Sequence, residues 1–229
     1  FGDGSLLLRA SRPGNSAPTD PVMRNVVTLF RRTVTESPWD SVVAYPSAPA
    51  VRDPQYVGSS LGNALFAPMP NFSVRGSRLA FTNGARFEIE IRSPTGGLRM
   101  IVRRTAAPRA VTENEVDRAV QFWAARLPER IRADQVPVML RASTSRVRPP
   151  IAEVWLADDG RIWGIFGDPV IGEPIRASVF DSLGRWEGGL ELPPDLVLNQ
   201  IDGDGLLATF IDPDGFRHLR FYRLRPRRR

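Results

Sequence analysis

Val154–Gly167 reads VWLADDGRIWGIFG, and this stretch decides the fold. Two apolar segments flank a short polar turn with Asp-Asp-Gly, a pattern typical of a β-hairpin, because glycine accepts the positive φ that tight turns require. The chain around it extends the pattern: a third strand is predicted within IRASVFDSLG and a fourth within RWEGGLELPP. The stretch therefore predicts an antiparallel unit of four short strands.

The same unit can be aligned on three further turn glycines, Gly4, Gly76 and Gly205. Around Gly76 the order is PNFSVRGS, RLAFTNG, RFEIEIRSPTG and GLRMIVRR, and around Gly205 it is LVLNQIDGDG, LLATFIDPDG and RHLRFYRLRP. Around Gly4 only SLLLRA, VVTLFRRTVTES and PWDSVVAYP remain. Alternation in RFEIEIRS puts three apolar residues on one face, as in a half-buried strand. The chain is therefore predicted to be all-β, with the first and last units incomplete.

Two insertions lengthen the repeat. Tyr45–Pro70 is rich in Pro, Ser, Gly and Ala and is predicted to be a loop. Residues 105–149 are predicted to hold a helical insertion, in which Thr112 is the N-cap and Glu115 completes a capping box. The helix is expected to pack on the protein's own surface rather than on a partner, through an apolar stripe of Val116, Val120, Trp123 and Leu127 that ends at Pro128.

Composition excludes several classes of function. All 31 basic residues are arginine and the formal net charge is +6, but Arg alternates with Asp and Glu along most of the chain. The one dense basic run ends in the tail 225–229, which is interpreted as solvated, so no nucleic-acid partner is predicted. With no cysteine there is no disulfide framework. No apolar segment approaches the ~20 residues of a transmembrane helix.

Catalytic and metal-binding motifs find little support. His218 is the only histidine, so a zinc site or a His-based triad is not predicted. Asp202–Gly205 and Asp212–Gly215 have the composition of a calcium loop without EF-hand spacing, and they are interpreted as hairpin turns. The chain has no P-loop, no dinucleotide-binding glycines and no nucleophile elbow.

Three stretches carry a family resemblance: Val154–Trp163 (VWLADDGRIW), Ser178–Trp186 (SVFDSLGRW) and Leu219–Leu224 (LRFYRL). They resemble the blades of bacterial NHL-like six-bladed β-propeller proteins, which also carry a helical segment similar to VTENEVDRAV. The resemblance implies one propeller domain over 1–229, truncated at its N-terminus, with parts of about four blades. It further implies that upstream blades and a closing strand complete the ring, and that the protein is extracytoplasmic, either periplasmic or lipid-anchored at the surface.

One set of residues is a candidate site. In a propeller the innermost strands begin at the mouth of the central channel, and Asn71, Glu153 and Asp195 hold these positions in three successive units. Three oxygen donors there would suit a divalent cation such as calcium. Gluconolactonase-like propellers use a similar set, so a metal-dependent hydrolase or lactonase is the alternative function. The favoured interpretation is that the three side chains hydrogen-bond free backbone groups.

The sequence favours a non-enzymatic binding scaffold with no cofactor, whose ligand is an unnamed protein or small molecule. Every long segment joins strands two and three of a unit or one unit to the next, whereas the remaining turns are short. Binding residues gather on loops held by rigid elements, so the long connections are predicted to form the binding face. The helix over 112–127 and the loop over 45–70 are expected to lie on that face and to cover the channel mouth together.

Overall fold

The computed structural model describes residues 1–2, 4–14, 22–33, 38–52, 60–105, 107–125, 135–166, 173–194, 196–212, 214 and 216–224. The strands in these ranges are β1 Leu6–Pro13, β2 Val22–Met23, β3 Asn25–Arg32, β4 Asp40–Pro46, β5 Ala50–Arg52, β6 Ser60–Asn63, β7 Asn71–Arg75, β8 Arg78–Thr82, β9 Glu88–Arg92, β10 Leu98–Arg103, β11 Glu153–Leu156, β12 Ile162–Ile165, β13 Ile175–Phe180, β14 Trp186–Leu192, β15 Leu196–Ile201, β16 Gly205–Ile211 and β17 Arg217–Arg223. The helices are α1 Glu113–Ala124 and α2 Gln135–Ala142.

The strands form consecutive antiparallel sheets that match the predicted units. Blade 1 has the order β1-β3-β4, blade 2 the order β10-β9-β8-β7, blade 3 the order β11-β12-β13-β14, and blade 4 the order β15-β16-β17. Blades 2 and 3 are complete four-stranded meanders, whereas three strands are described in each of blades 1 and 4. The short turns inside the blades use glycine at positive φ, as at Gly76 (+56°) and Gly160 (+92°).

Apolar layers join each blade to the next, because the alternating strands bury one set of side chains on each face. Blade 2 packs on blade 3 through a layer that includes Phe87, Ile89, Val154 and Ile162. Blade 3 packs on blade 4 through Trp163, Ile165, Ala177, Leu196, Ile201 and Leu206. Val27 and Leu29 of blade 1 pack with Leu79 and Phe81 of blade 2.

The first strands of blades 2 and 3 lie side by side. The N–H groups of Val154 and Leu156 on β11 donate to the side-chain oxygens of Asn71 and Ser73 on β7, each at 3.0 Å. Face-to-face stacking of successive four-stranded meanders with adjoining first strands is the architecture of propeller blades. The predicted fold class, an all-β propeller-like chain with a helical insertion, is therefore confirmed.

The prediction of a plain loop over Tyr45–Pro70 was wrong. β5 and β6 lie within it, and β5 pairs with both β6 and β2 in a small three-stranded sheet. This sheet forms because Val51 is apolar and fully buried, and the following turn buries Ala64 to Ala67 as well. The high content of Pro, Ser and Gly concealed the short apolar positions that hold the segment in place.

The described part of the helical insertion has two helices rather than the one predicted. α2 was missed because Pro137 lies in it, although proline is tolerated in the first turn of a helix, where N–H groups have no intrahelical acceptor. The predicted capping box of α1 is confirmed: Glu115 N–H donates to the Thr112 hydroxyl at 3.3 Å, and Thr112 N–H donates to the Glu115 carboxylate at 2.8 Å.

The insertion and the 45–70 segment share one apolar cluster, which holds Val116 and Val120 of α1 together with Val51 and the turn 64–67. The two segments therefore lie together, as predicted, and their joint cover of a channel mouth stays a prediction. The expected stripe ends early: Trp123 is 48% exposed and makes an edge-to-face contact with Phe122 instead. Leu127 lies outside the described residues. Neither described helix has the length and apolar character needed to cross a membrane.

Candidate ligand-binding cleft

The three predicted channel-mouth residues have ordinary structural partners where they are described. The Asn71 amide oxygen accepts a hydrogen bond from Val154 N–H at 3.0 Å. The Glu153 carboxylate accepts one from the Trp155 indole N–H at 2.9 Å. Asp195 lies outside the described residues, so the structure brings together Asn71 and the strand that begins at Glu153. Within the described ranges no cluster of three or more His, Cys, Asp or Glu side chains could hold a metal ion.

Ion pairs tie the short turns of three blades together at one end of the molecule. The guanidinium of Arg75 in blade 2 pairs with Asp158 in the β11–β12 turn, and it reaches Asp202 in the β15–β16 turn at 3.0 Å. The hydrogen bond from Arg75 is the main cause that holds the pKa of Asp158 below its usual range. This convergence shows that the short turns lie on the same face, and a sequence without an alignment gives no sign of such long-range pairs.

A second set of contacts repeats between successive blades at the same end. Gly2 N–H donates to Gly76 O at 2.8 Å, the Arg78 guanidinium to Gly160 O at 2.8 Å, and the Arg161 guanidinium to Gly203 O at 2.9 Å. Each contact joins one blade to a turn of the next. Polar contacts between blades thus cross-link the short-turn end. The long insertions occur in the other connections of the chain.

A cleft of about 2300 Å³ opens over the outer part of blades 2, 3 and 4. Its walls include both ends of the helical insertion and the residues that lead into β13. These are long connections, which the sequence predicted as the binding face. Eight arginines line the cleft against five carboxylates, so its surface is basic: Arg86, Arg103, Arg104, Arg109, Arg148, Arg161, Arg176 and Arg223, with Glu88, Glu173, Glu187, Glu191 and Asp204.

The floor of the cleft is β14, the outer strand of blade 3, which pairs only with β13 among the described strands. Register divides its residues between two faces. Trp186, Gly189 and Glu191 lie opposite Phe180, Ser178 and Arg176, on the face toward blade 2. Gly188, Leu190 and Leu192 lie opposite Val179, Ala177 and Ile175, on the face toward blade 4. A side chain added at Gly188 would meet nothing within 4 Å, so the middle of the strand is open.

Arg104 projects into the cleft just after β10 and is held in place without a carboxylate. One guanidinium N–H donates to the hydroxyl of the fully buried Ser178 at 2.5 Å. The guanidinium carbon also lies 5.2 Å from the ring centre of Phe166 and 5.8 Å from that of Trp186. Such cation–π contacts fix the plane of the guanidinium. No ion pair joins Arg104 to any acidic side chain in the described part of the chain, and most of its N–H donors remain for a ligand.

Most other arginines of the cleft are already neutralised by carboxylates. Arg103 pairs with Glu88 at 2.7 Å, Arg161 with Glu187 at 2.7 Å, and Arg176 with Glu191 at 3.2 Å. Arg104 therefore stands out chemically as a positioned cation with unused donors. The sequence analysis missed it because the residues that position it, Ser178 and Trp186, are distant in sequence and belong to another blade.

A buried ionic network fixes the wall of the cleft. The buried Arg148 guanidinium donates to Glu115 at 2.6 Å and lies 3.4 Å from Glu173, and Arg109 reaches Glu115 at 3.1 Å. Burial of Glu115 favours its neutral form, but the hydrogen bond from Thr112 and the charge of Arg148 outweigh it, so the pKa of Glu115 lies below its ordinary value. The network thus joins α1 to the segment that enters β13.

His218 and Asp212 form a pair away from the cleft that the sequence did not indicate. His218 Nε2 lies 2.7 Å from Asp212 Oδ2, and this hydrogen bond holds the pKa of Asp212 below its usual range. The pair is exposed and closes the β16–β17 hairpin, where Asp212 N–H also donates to Phe216 O at 3.0 Å. The turn interpretation of this aspartate is confirmed. Trp163, which lines the cleft, has a buried indole N–H without a hydrogen-bond partner in the described structure.

Comparisons with known proteins show only loose similarity. No protein-family model and no curated protein matches this chain. Among solved structures, AztD from Citrobacter koseri is similar over 96% of this chain and 50% of its own, with 10% identity and a TM-score of 0.31. A europium-containing methanol dehydrogenase is similar over 93% of this chain and 51% of its own, with 9% identity and a TM-score of 0.30. The chain therefore spans about half the length of these two structures.

Proposed function

We propose that this protein is a non-enzymatic binding scaffold, and that the cleft over β14 is its binding surface. The observation that carries the proposal is the cleft itself: its walls include the long connections at both ends of the helical insertion, and its helical wall is fixed by the Arg148–Glu115 pair. Binding surfaces on rigid scaffolds are built in this way from elaborated loops. The sheets and their turn motifs further support membership of the NHL-like six-bladed group.

The size of the cleft favours an extended ligand. Pockets for single small molecules enclose ~300–1000 Å³, whereas this cleft has a volume of about 2300 Å³. An extended polypeptide segment matches both the volume and the strand-like floor. A protein partner is therefore favoured over a small molecule.

A displayed library of random peptides tests this function. The library is selected on the full chain and counter-selected on Gly188→Trp, whose side chain would fill the open floor of the cleft without a clash near its Cβ. We expect enriched peptides that bind the wild type and Gly188→Ala equally and do not bind Gly188→Trp. Failure to enrich any peptide, or peptides that bind Gly188→Trp as well as the wild type, would overturn the proposal.

The metal-dependent hydrolase remains a separate proposal for the channel mouth. It requires Asn71, Glu153 and Asp195 to converge on a cation, and the first two already have hydrogen-bond partners within the protein. A divalent cation that binds there should raise the melting temperature by mass action. This measurement is independent of the cleft.

A further inference from the structure

We propose that β14 accepts an extended acidic peptide as an additional strand, with a ligand carboxylate on Arg104. The inference rests on the proposed function and names the chemistry of its ligand. It uses two independent features of the cleft: an outer strand that pairs on one side only among the described strands, and a positioned arginine without a carboxylate partner in the described structure.

The edge of β14 is suited to strand addition. An outer strand presents N–H and C=O groups that a second chain can pair with, and peptides are recognised in this way at exposed sheet edges. Around the middle of β14, Gly188 has no neighbour within 4 Å of an added Cβ, and Gly189 would meet only the Ala177 carbonyl oxygen at 3.6 Å. Gly188 and Gly189 carry no side chains, so the two faces of the strand are uncrowded where the side chains of an added strand would lie beside it.

Alternation sends the side chains of an added strand to the two faces of blade 3. Those on the face toward blade 2 would meet the row Trp186, Gly189 and Glu191, where Arg104 lies on Ser178. Glu191 is paired with Arg176, so its negative charge is compensated and does not repel an acidic ligand. Side chains on the other face would meet Gly188 and Leu190.

Charge selects the occupant. Arg104 keeps donors free while its plane is fixed by Phe166 and Trp186, and a fixed guanidinium suits bidentate binding of a carboxylate. The excess of arginine over carboxylate in the lining adds a longer-range attraction for acidic ligands. A basic strand would be repelled, so the favoured partner alternates acidic with neutral residues.

Isothermal titration with a defined peptide tests the inference. The probe is a capped peptide of alternating glutamate and threonine, and its matched control replaces every glutamate with glutamine. We expect binding of the glutamate peptide only, weakened at least about tenfold by Arg104→Gln, as loss of a charge-assisted hydrogen-bond pair predicts. Arg99→Gln, which makes the same charge change outside the cleft lining, should leave the affinity within about twofold.

Alternate N-methylation of the glutamate peptide tests strand addition. Methyl groups on one alternate set of amides should abolish binding, and methyl groups on the other set should be tolerated, since only one set of N–H groups faces the partner strand. Equal tolerance of both sets would overturn strand addition. Unchanged affinity in Arg104→Gln would overturn the role of that arginine.

The remaining outcomes separate this inference from the proposed function. If library peptides bind the cleft but neutral and acidic probes bind equally, the scaffold function stands and the acidic specificity is wrong. If oligogalacturonate binds in an Arg104-dependent way and the glutamate peptide does not, the ligand is an acidic polysaccharide and the peptide proposal is overturned. If nothing binds the cleft, both proposals fall.

Discussion

At the scale of single residues, the side chain of Asn71 has two possible roles: a hydrogen bond that joins two blades, and a ligand of a cation at the channel mouth. Its amide oxygen accepts the Val154 N–H across the boundary between blades 2 and 3, at 3.0 Å. A buried backbone donor that loses its acceptor costs about 1–3 kcal/mol. We expect Asn71→Ala to lower the free energy of unfolding by about 1–2 kcal/mol, measured by urea denaturation.

Calcium distinguishes the structural role of Asn71 from metal binding. With the structural role, millimolar calcium and EDTA should give the same unfolding midpoint for the wild type, and Asn71→Ala should lower that midpoint equally in both. Stabilisation by calcium that disappears in Asn71→Ala would contradict this expectation and revive the channel-mouth cation site.

Glu115 is the second residue whose role can be measured directly. It caps α1 and is buried against Arg148, so its loss leaves a buried guanidinium without its closest carboxylate. Breaking a buried pair by removing one partner is strongly destabilising, and we expect Glu115→Gln to cost about 3 kcal/mol. Glu113→Gln, at an exposed carboxylate on the same helix turn, should cost at most about 0.5 kcal/mol.

The pH dependence of the Glu115 contribution follows from the direction of its pKa. The pKa in the folded state is lowered, so the unfolded state takes up a proton first as the pH falls. The contribution is therefore complete above the ordinary glutamate pKa of ~4.3 and is lost as the pH falls through the lower folded value. The difference in stability between wild type and Glu115→Gln should shrink over that acidic window; an equal difference at every pH would contradict the ionic role.

At the scale of elements, two strand glycines of blade 3, Gly164 and Gly188, lead to opposite predictions. A Cβ at Gly164 on β12 would lie 2.9 Å from Phe87 and 3.2 Å from Ile151, inside the layer between blades 2 and 3. Gly164→Ala should therefore overpack that layer and lower the unfolding free energy by about 1–3 kcal/mol. Gly188→Ala, with open space around it, should be neutral or slightly stabilising, because glycine is unfavourable in strands. Equal effects of the two substitutions on urea denaturation would contradict this packing.

The same scale shows what the sequence could predict. The four sheets, their turns and the cap of α1 follow from local patterns, since alternation, turn glycines and capping residues act within a few positions. The small β2-β5-β6 sheet could not be predicted because Pro, Ser and Gly hide its short apolar segments, and α2 could not because Pro137 lies in it. The cleft was inaccessible for a different reason: Arg104 is positioned by Ser178, 74 positions away in sequence.

At the scale of the whole molecule, stability should be distributed unevenly, because each blade packs only on its neighbours. Among the described residues, blade 3 is covered on both faces by apolar layers, whereas blade 4 is covered on the face toward blade 3. Its other face leaves Val197 56%, Leu219 65% and Phe221 57% exposed. In stacked repeats, stability is close to a sum of intrinsic and nearest-neighbour terms, so a blade with one neighbour opens at a lower free energy.

Native-state hydrogen exchange followed by NMR tests this gradient. The fair comparison is between β12 and β16, because each pairs with a strand on both sides and the two therefore differ mainly in the cover of their sheets' faces. We expect the β12 amides to exchange only through global unfolding. The β16 amides should also exchange through a partial opening of blade 4, which exposes less surface, so their exchange free energy should depend less on the denaturant concentration. Identical exchange free energies and identical denaturant dependence in the two strands would show instead that the stacked sheets unfold as one cooperative unit.

An occupant that covers Leu219 and Phe221 should selectively slow exchange in β16 and leave β12 unchanged, because only blade 4 gains a new apolar contact.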